Sequence, residues 1–278
     1  MIERLILACS LAFALASCAA SNSRIDVVDK PTRIVSLMPS LTEDICRIGA
    51  GKLLVGVSQY SNGASCAAGL PVVSDFASVD AEAIIALHPA VVVGIPAQRR
   101  TTASLRSAHV PIAFFPDDTY DDIFADLTGL GNLTGHAASA KALVAKLRAQ
   151  TRALQTARHF KRHPSVFIAL GAGPIWTVGP RSYLSQIIAL AGGRNAVSVL
   201  PSAYAQYSAE ALLALQPDAI VTDRFTHLNE SFDREPWRSL NAVRTRHVFV
   251  APDDFERPGP QYNESIRWLT ERLRPLAT

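Results

Sequence analysis

The chain repeats itself across its middle. Residues 81–93 read AEAIIALHPAVVV, and 128 positions later residues 209–221 read AEALLALQPDAIV. Ala81, Glu82, Ala83, Ala86, Leu87, Pro89 and Val93 recur as Ala209, Glu210, Ala211, Ala214, Leu215, Pro217 and Val221. Each copy reads as a short helix, a proline that stops it and a buried strand, Val91 to Ile95 in the first and Ala219 to Thr222 in the second. Asp80 and Ser208 stand at matching positions before these helices, and both residue types cap a first turn well. A period this long excludes a solenoid. It predicts two related α/β lobes.

The flanking segments continue the alternation. Arg33 to Leu37 reads as a strand, Pro39-Ser40-Leu41-Thr42-Glu43 opens a helix that ends near Gly49 and Gly51, and Leu53 to Ser58 is the next strand. Another strand is expected at Val110 to Phe115 and a helix from Tyr120 to about Leu130. Strands alternating with helices point to a parallel sheet covered on both faces. Residues 136–160 contain no Gly or Pro and are rich in Ala, Lys, Leu, Arg and Gln, so they predict one continuous helix with Leu143, Leu147 and Leu154 on its apolar stripe. Pro164 ends it, and Ser165 to Leu170 starts the second lobe, followed by the loop Gly171-Ala172-Gly173-Pro174 at a strand's C-terminal end, where open α/β sheets present ligand sites. The expected fold is α/β, two Rossmann-like lobes over residues 31–135 and 164–278, joined by one long rigid helix over 136–160.

The N-terminus sets the compartment. Arg4 precedes an apolar run from Leu5 to Ala16, which is followed by Ser17 and Cys18. A charged start, a short apolar segment and small residues describe a secretory signal, and the run falls short of the roughly 20 residues that cross a bilayer. Leu15-Ala16-Ser17-Cys18 resembles a bacterial lipobox, which implies a signal peptide over residues 1–17, a lipid on Cys18, a polar tether over 18–30, and an exported protein anchored at the periplasmic or extracellular face of a membrane. Cys46 and Cys66 then remain, and an oxidising compartment allows them to pair; sequence alone leaves that pairing open. Hydrophobic residues at 49% with 18% charged exclude a disordered chain. The net charge of +3 comes from scattered basic residues, with none of the clustering of a nucleic-acid footprint.

Thr32 to Ser61 (TRIVSLMPSLTEDICRIGAGKLLVGVSQYS), the two AExxxALxP units and Phe255-Glu256-Arg257-Pro258-Gly259-Pro260 resemble the periplasmic vitamin B12-binding proteins. These belong to the ABC-importer solute-binding proteins whose lobes are joined by a single helix, together with iron–siderophore and haem binders. The resemblance implies a ligand cleft between the lobes that captures cobalamin or a related corrinoid as cargo, with no cofactor or metal of the protein's own. Partners would be the importer's permease and ATPase, and the chain is expected to act as a monomer. Family cleft positions fall on Tyr60, Phe76, Trp176, Tyr204, Asp253, Phe255 and Arg257. The family's paired surface glutamates, which dock on permease arginines, fall on Glu82 and Glu210; acids at those first-turn positions also favour the helix dipole. Asn62-Gly63-Ala64 departs from the aspartate, tyrosine and proline common after Tyr60-Ser61, and Gln261 stands where many relatives carry arginine. An iron–siderophore or haem binder is the alternative, with Arg99, Arg100, Arg181, Arg224 and Arg257 available for anionic chelates and Tyr60 or Tyr204 for iron.

An enzyme is not expected. The chain has no Gly-x-Ser-x-Gly elbow, P-loop or His-Glu-x-x-His motif. Asp117-Asp118 and Asp253-Asp254 read as solvated turn acids, and His159 with His163 as a solvated helix end rather than a metal site.

Overall fold

The computed structural model describes residues 30–278 apart from 62 and 76; the signal segment, Cys18 and Phe76 lie outside the described residues. The first lobe runs β1 (Ile34–Ser36), α1 (Pro39–Arg47), β2 (Leu54–Ser58), β3 (Val72–Ser74), α2 (Ala81–Ala86), β4 (Val91–Gly94), α3 (Ala103–Ser107) and β5 (Ile112–Phe114). Its five strands form a parallel sheet in the order β3-β2-β1-β4-β5. Two helices follow, α4 (Tyr120–Thr134) and α5 (Ala137–Thr156). The second lobe holds β6 (Ser165–Ala169), β7 (Trp176–Val178), α6 (Tyr183–Ala191), β8 (Arg194–Asn195), β9 (Tyr204–Gln206), α7 (Ala209–Leu215), β10 (Ala219–Thr222), α8 (Asn241–Arg244), β11 (Val248–Val250) and α9 (Tyr262–Leu273). Its main sheet is parallel, in the order β11-β10-β6-β8, and β7 pairs with β9 as an antiparallel ribbon.

The sequence echo is an echo of structure. Ile34 faces Val91 and Val92 faces Ile112 in the first sheet; Val166 faces Ala219 and Ile220 faces Val248 in the second. Asp80 Oδ1 accepts from the Ala83 amide at 2.9 Å, and Ser208 Oγ accepts from the Ala211 amide at 3.0 Å. Both helices end at a non-glycine residue in the left-handed region, His88 (φ 46°) and Gln216 (φ 42°), each one step before the proline that forbids another turn. That conformation costs a β-carbon about 1–2 kcal/mol.

The link from the first lobe to the second is α5, with α4 packed beside it. Gly135, at φ 76°, ends α4 in the left-handed conformation that glycine adopts without steric penalty. The next helix then folds back beside α4. α5 is shorter than the 136–160 stretch that composition suggests. It stops at Ala157 without a breaker residue, because Arg158 turns aside, donates to the Leu190 carbonyl at 2.5 Å and lies 5.6 Å from the Phe160 ring. Twenty residues still give α5 a length of about 30 Å.

A single apolar core runs through the bridge into both lobes. Leu127 and Leu130 of α4, Leu147 of α5, Ile187 and Ile188 of α6 and Leu269 of α9 belong to one buried cluster that also contains Ile34 and Val166 of the two sheets. Cys46 and Cys66 form a disulfide with 5.7 Å between their Cα atoms, which ties the end of α1 to the loop between β2 and β3.

Candidate functional site: a cleft between the lobes

In the order β3-β2-β1-β4-β5 the chain direction across the sheet reverses between β1 and β4, which opens a crevice at the strands' carboxyl ends. Every strand of this sheet delivers residues to that crevice. Leu37 to Ser40 follow β1, Ser58 ends β2 and Tyr60 follows it, Asp75 follows β3, Ile95 follows β4, and Asp117 and Asp118 follow β5. From the second lobe come Tyr204 of β9 and the segment Glu256-Arg257-Pro258 after β11. Together they enclose a cavity of about 430 Å³, within the range of about 300–1,000 Å³ usual for small-molecule sites.

Hydroxyl groups fix the first wall. Thr42 Oγ1 lies 2.9 Å from Ser36 Oγ and 3.1 Å from Ser61 Oγ, and Ser61 Oγ lies 2.8 Å from Ser58 Oγ. This buried chain fastens the Tyr60 turn to the start of α1. The Tyr60 ring is 58% exposed and free to meet a ligand. Asp75 is held as an anion: its Oδ1 accepts from the amides of Ala77 (2.7 Å) and Ser78 (2.6 Å), which lowers its pKa.

The remaining carboxyl groups crowd one another. Burial and then the neighbouring Asp118 push Asp117 up to about 6, and burial with Asp223 pushes Glu256 up to about 7. Burial, followed by the charges of Glu256, Asp117 and Asp118, raises the Tyr204 phenol to about 12, so this hydroxyl stays protonated as a donor. Arg257, the cavity's only basic side chain among the described residues, lies 2.9 Å from Asp254. Four carboxyl groups thus face one partly neutralised guanidinium.

Of the positions suggested by resemblance, Tyr60, Tyr204 and Arg257 line the cavity. Phe255 does not: its side chain is 1% exposed and packs edge-on against Trp268 at 5.3 Å. The turn after β11 points Phe255 inward to the core, while its neighbours Glu256 and Arg257 face the cleft. Asp253 is also outside the lining; it is exposed and pairs with Arg224 at 3.0 Å. Trp176 is absent from the lining as well, yet its ring is 40% exposed and lies on the β7–β9 ribbon. Trp176 faces Gln206, and Val178 faces Tyr204. Alternation along these strands therefore puts Trp176 on the same side of the ribbon as Tyr204. Asp75, Asp117, Asp118 and Glu256 are cavity residues the sequence reading passed over. Asp117-Asp118 looked like a solvated turn pair, whereas Asp117 is half-buried in the cleft; Asp253 and Asp254 are exposed. The signal that finds these acids is position in the loop that follows a strand of a parallel sheet, β3 for Asp75, β5 for Asp117 and Asp118, and β11 for Glu256.

Glu82 and Glu210 are exposed, each in the first turn of its helix, and form no ion pair among the described residues. α2 starts after β3 and α7 after β9, and neither glutamate lines the cavity. His159 and His163 lie beyond the end of α5, and His163 Nδ1 is 2.8 Å from the Gly192 carbonyl. No group of three or more His, Cys, Asp or Glu residues suited to a metal ion occurs among the described residues.

Comparison with known proteins agrees with this architecture. The chain is 30% identical over 259 residues to the vitamin B12-binding protein of Pectobacterium atrosepticum, covering 88% of this chain and 90% of that protein. It is 27% identical over 266 residues to the ABC transporter substrate-binding lipoprotein YvrC of Bacillus subtilis, covering 92% and 84%. Its structure superposes on the periplasmic vitamin B12 binding protein BtuF of Vibrio cholerae with a TM-score of 0.77 at 26% identity, over 88% of this chain and 98% of that one. The haem-binding protein RhuT of Roseiflexus gives a TM-score of 0.78 at 25% identity, over 88% and 99%. Residues 34–255 match the family described as periplasmic binding protein, and the chain belongs to that family, as the substrate-binding, non-enzymatic component of an ABC transporter.

Proposed function

We propose that this protein captures cobalamin or a closely related corrinoid in the inter-lobe cleft and delivers it to the permease of an ABC importer. The observation that carries this reading is the cavity wall: two tyrosine rings set among carboxyl groups. A corrinoid is a broad ring with primary amides around its edge. Flat phenol faces suit the ring, and Asp75, Asp117, Asp118 and Glu256 accept hydrogen bonds from amide N–H groups. The names of relatives aligned over most of the chain point the same way. A corrinoid is larger than 430 Å³, so the cavity grips part of the macrocycle and leaves the exposed rings of Tyr60 and Trp176 to contact the rest. Haem and ferric siderophores are the competing cargo, and the haem-binding neighbours share the fold. Their carboxylate or other anionic groups would face the same acids at a Coulombic cost. Incubation with cobalamin, haem and a ferric siderophore, followed by gel filtration and absorption spectra, tests the reading. Cobalamin should co-elute one-to-one, and retention of haem or the siderophore alone would overturn it.

The same reading gives Glu82 and Glu210 a role as a two-point contact with permease arginines, one exposed carboxylate from each lobe, setting orientation and association rate. Glu82→Lys with Glu210→Lys should abolish uptake into vesicles reconstituted with the permease and ATPase while the purified protein still binds its ligand. Normal uptake by this double variant would contradict the role. Cys18 would carry the lipid and residues 18–30 would serve as tether, with the protein acting as a monomer; the Cys46–Cys66 disulfide suits an oxidising, extracytoplasmic compartment. Cys18→Ser should move the protein from the membrane to the soluble fraction.

A further inference from the structure

The cleft has a charge sign, and the sign constrains the cargo beyond its shape. Asp75, Asp117, Asp118 and Glu256 line the cavity, contributed from the loops that follow β3, β5 and β11. Two features oppose them. The N-terminus of α1, whose N-cap Met38 provides no side-chain cap, directs a partial positive charge at the wall formed by Met38 to Ser40. Arg257 supplies a guanidinium, but Asp254 sits against it at 2.9 Å. The balance at the centre of the cavity is negative. Glu256 from the second lobe and Asp117 and Asp118 from the first line the same cavity as the Tyr204 phenol.

We propose that the cleft selects its corrinoid by charge, taking the form with a net positive charge ahead of the neutral form and discriminating against an anionic one. The proposal rests on the corrinoid reading and adds the class of corrinoid. The charge arithmetic of the ligand is simple: cobalt(III) carries three positive charges, the corrin ring removes one and the phosphodiester another. A neutral upper ligand such as water leaves one net positive charge, cyanide brings the molecule to neutrality, and hydrolysis of one edge amide of the cyano form to its acid leaves one negative charge. The cavity acids that are pushed up by burial and by one another gain from a cation, because its field lowers them again and stabilises their ionised forms.

Proton release should therefore accompany binding of the cation. The groups in position to contribute are Asp117, backed by Asp118, Asp122 and Asp126, and Glu256, backed by Asp223. Asp75 is already held as an anion by its two amide donors. Tyr60, Tyr204 and Arg257 complete the titratable lining.

The test is a series of equilibrium titrations of the whole mature protein with aquocobalamin, cyanocobalamin and the monocarboxylic acid of cyanocobalamin, at pH 7 in low and in high salt. Affinity should fall along the series, by about tenfold for each unit of charge in low salt, and the steps should shrink in high salt as screening sets in. The last two ligands share their cobalt coordination, so the step between them reports charge without ligand exchange at the metal. Lowering the pH from 7.5 to 5.5 should weaken the cation's binding more than that of the neutral form. Asp117→Asn with Glu256→Gln should narrow the spread between cation and anion. Equal affinities across the series in low salt, or tightest binding of the anionic form, would overturn charge selection while leaving the corrinoid reading intact. Failure of all three to bind would overturn that reading and this inference with it.

Discussion

Tyr204 and Phe255 are both aromatic residues of the second lobe, and their surroundings assign them opposite duties. Tyr204 presents its ring to the cleft, so Tyr204→Ala should weaken ligand binding by about 1–3 kcal/mol, the usual cost of removing a central aromatic contact. Phe255 is sealed in the core against Trp268, and Phe255→Ala should instead cost about 3–5 kcal/mol of stability, read as a lowered midpoint in urea. A motif fixes the neighbourhood of a residue but not the direction of its side chain: in the turn 253–258 Phe255 packs into the core, while Glu256, Arg257 and Pro258 line the cavity. The acids were harder to read, because an Asp-Asp pair before a helix is the ordinary composition of a solvated turn. Only the closing of the second lobe over Asp117 makes it a site residue. Farther inside, Asp44 of α1 and Asp126 of α4 are buried, and each leaves one Oδ1 without a hydrogen-bond partner. Burial, then the charge of Asp126, raises Asp44, while burial and then Asp122 and Asp117 push Asp126 up to about 8. An acid with a raised folded-state pKa binds more protons in the folded than in the unfolded chain. Stability is therefore lost as pH rises from about 4 towards 8. Asp126→Asn should raise the Tm at pH 8 and flatten its dependence on pH across that window; an unchanged profile would show that Asp126 ionises freely.

At the scale of elements, the sequence was most informative where local chemistry dominates. The paired helix–proline–strand units were legible because N-caps, prolines and apolar strands leave marks within about a dozen residues, and they reappear with matching sheet registers. The long helix was legible by composition, but its end was not. Arg158 leaves the helix for the Leu190 carbonyl, a partner 32 residues away, and no local pattern announces such a contact. The β7–β9 ribbon escaped notice for a related reason: its strands are three residues each and separated by α6 and β8, so neither has the length to show alternation. The disulfide was open from spacing alone, since pairing depends on α1 and the β2–β3 loop meeting in space. Closing a loop of this size contributes about 2–4 kcal/mol. Cys46→Ser with Cys66→Ser should lower stability by that amount, and reductant should do the same to the parent protein but leave the double variant unaffected.

For the whole molecule, the two lobes are fastened at the floor of the cleft. The Tyr183 amide donates to the Asp118 carbonyl at 2.9 Å, and the Tyr120 amide donates to Gln186 Oε1 at 2.5 Å. Tyr120 and Tyr262 meet edge to face at 5.0 Å, with Thr151 of α5 2.8 Å from the Tyr262 hydroxyl. Opening the cleft by a large hinge rotation would break these contacts and expose the shared core, so ligand capture should involve small motions. Small-angle scattering with and without ligand should show nearly the same radius of gyration. The central claim, that this cavity is where a corrinoid is captured, is met most directly by calorimetric titration of cobalamin into the parent protein and into Tyr60→Ala with Tyr204→Ala. The account predicts one-to-one binding by the parent and a loss of at least tenfold in affinity for the variant, with its fold intact. Absence of binding by the parent, or equal affinity in the two proteins, would contradict it.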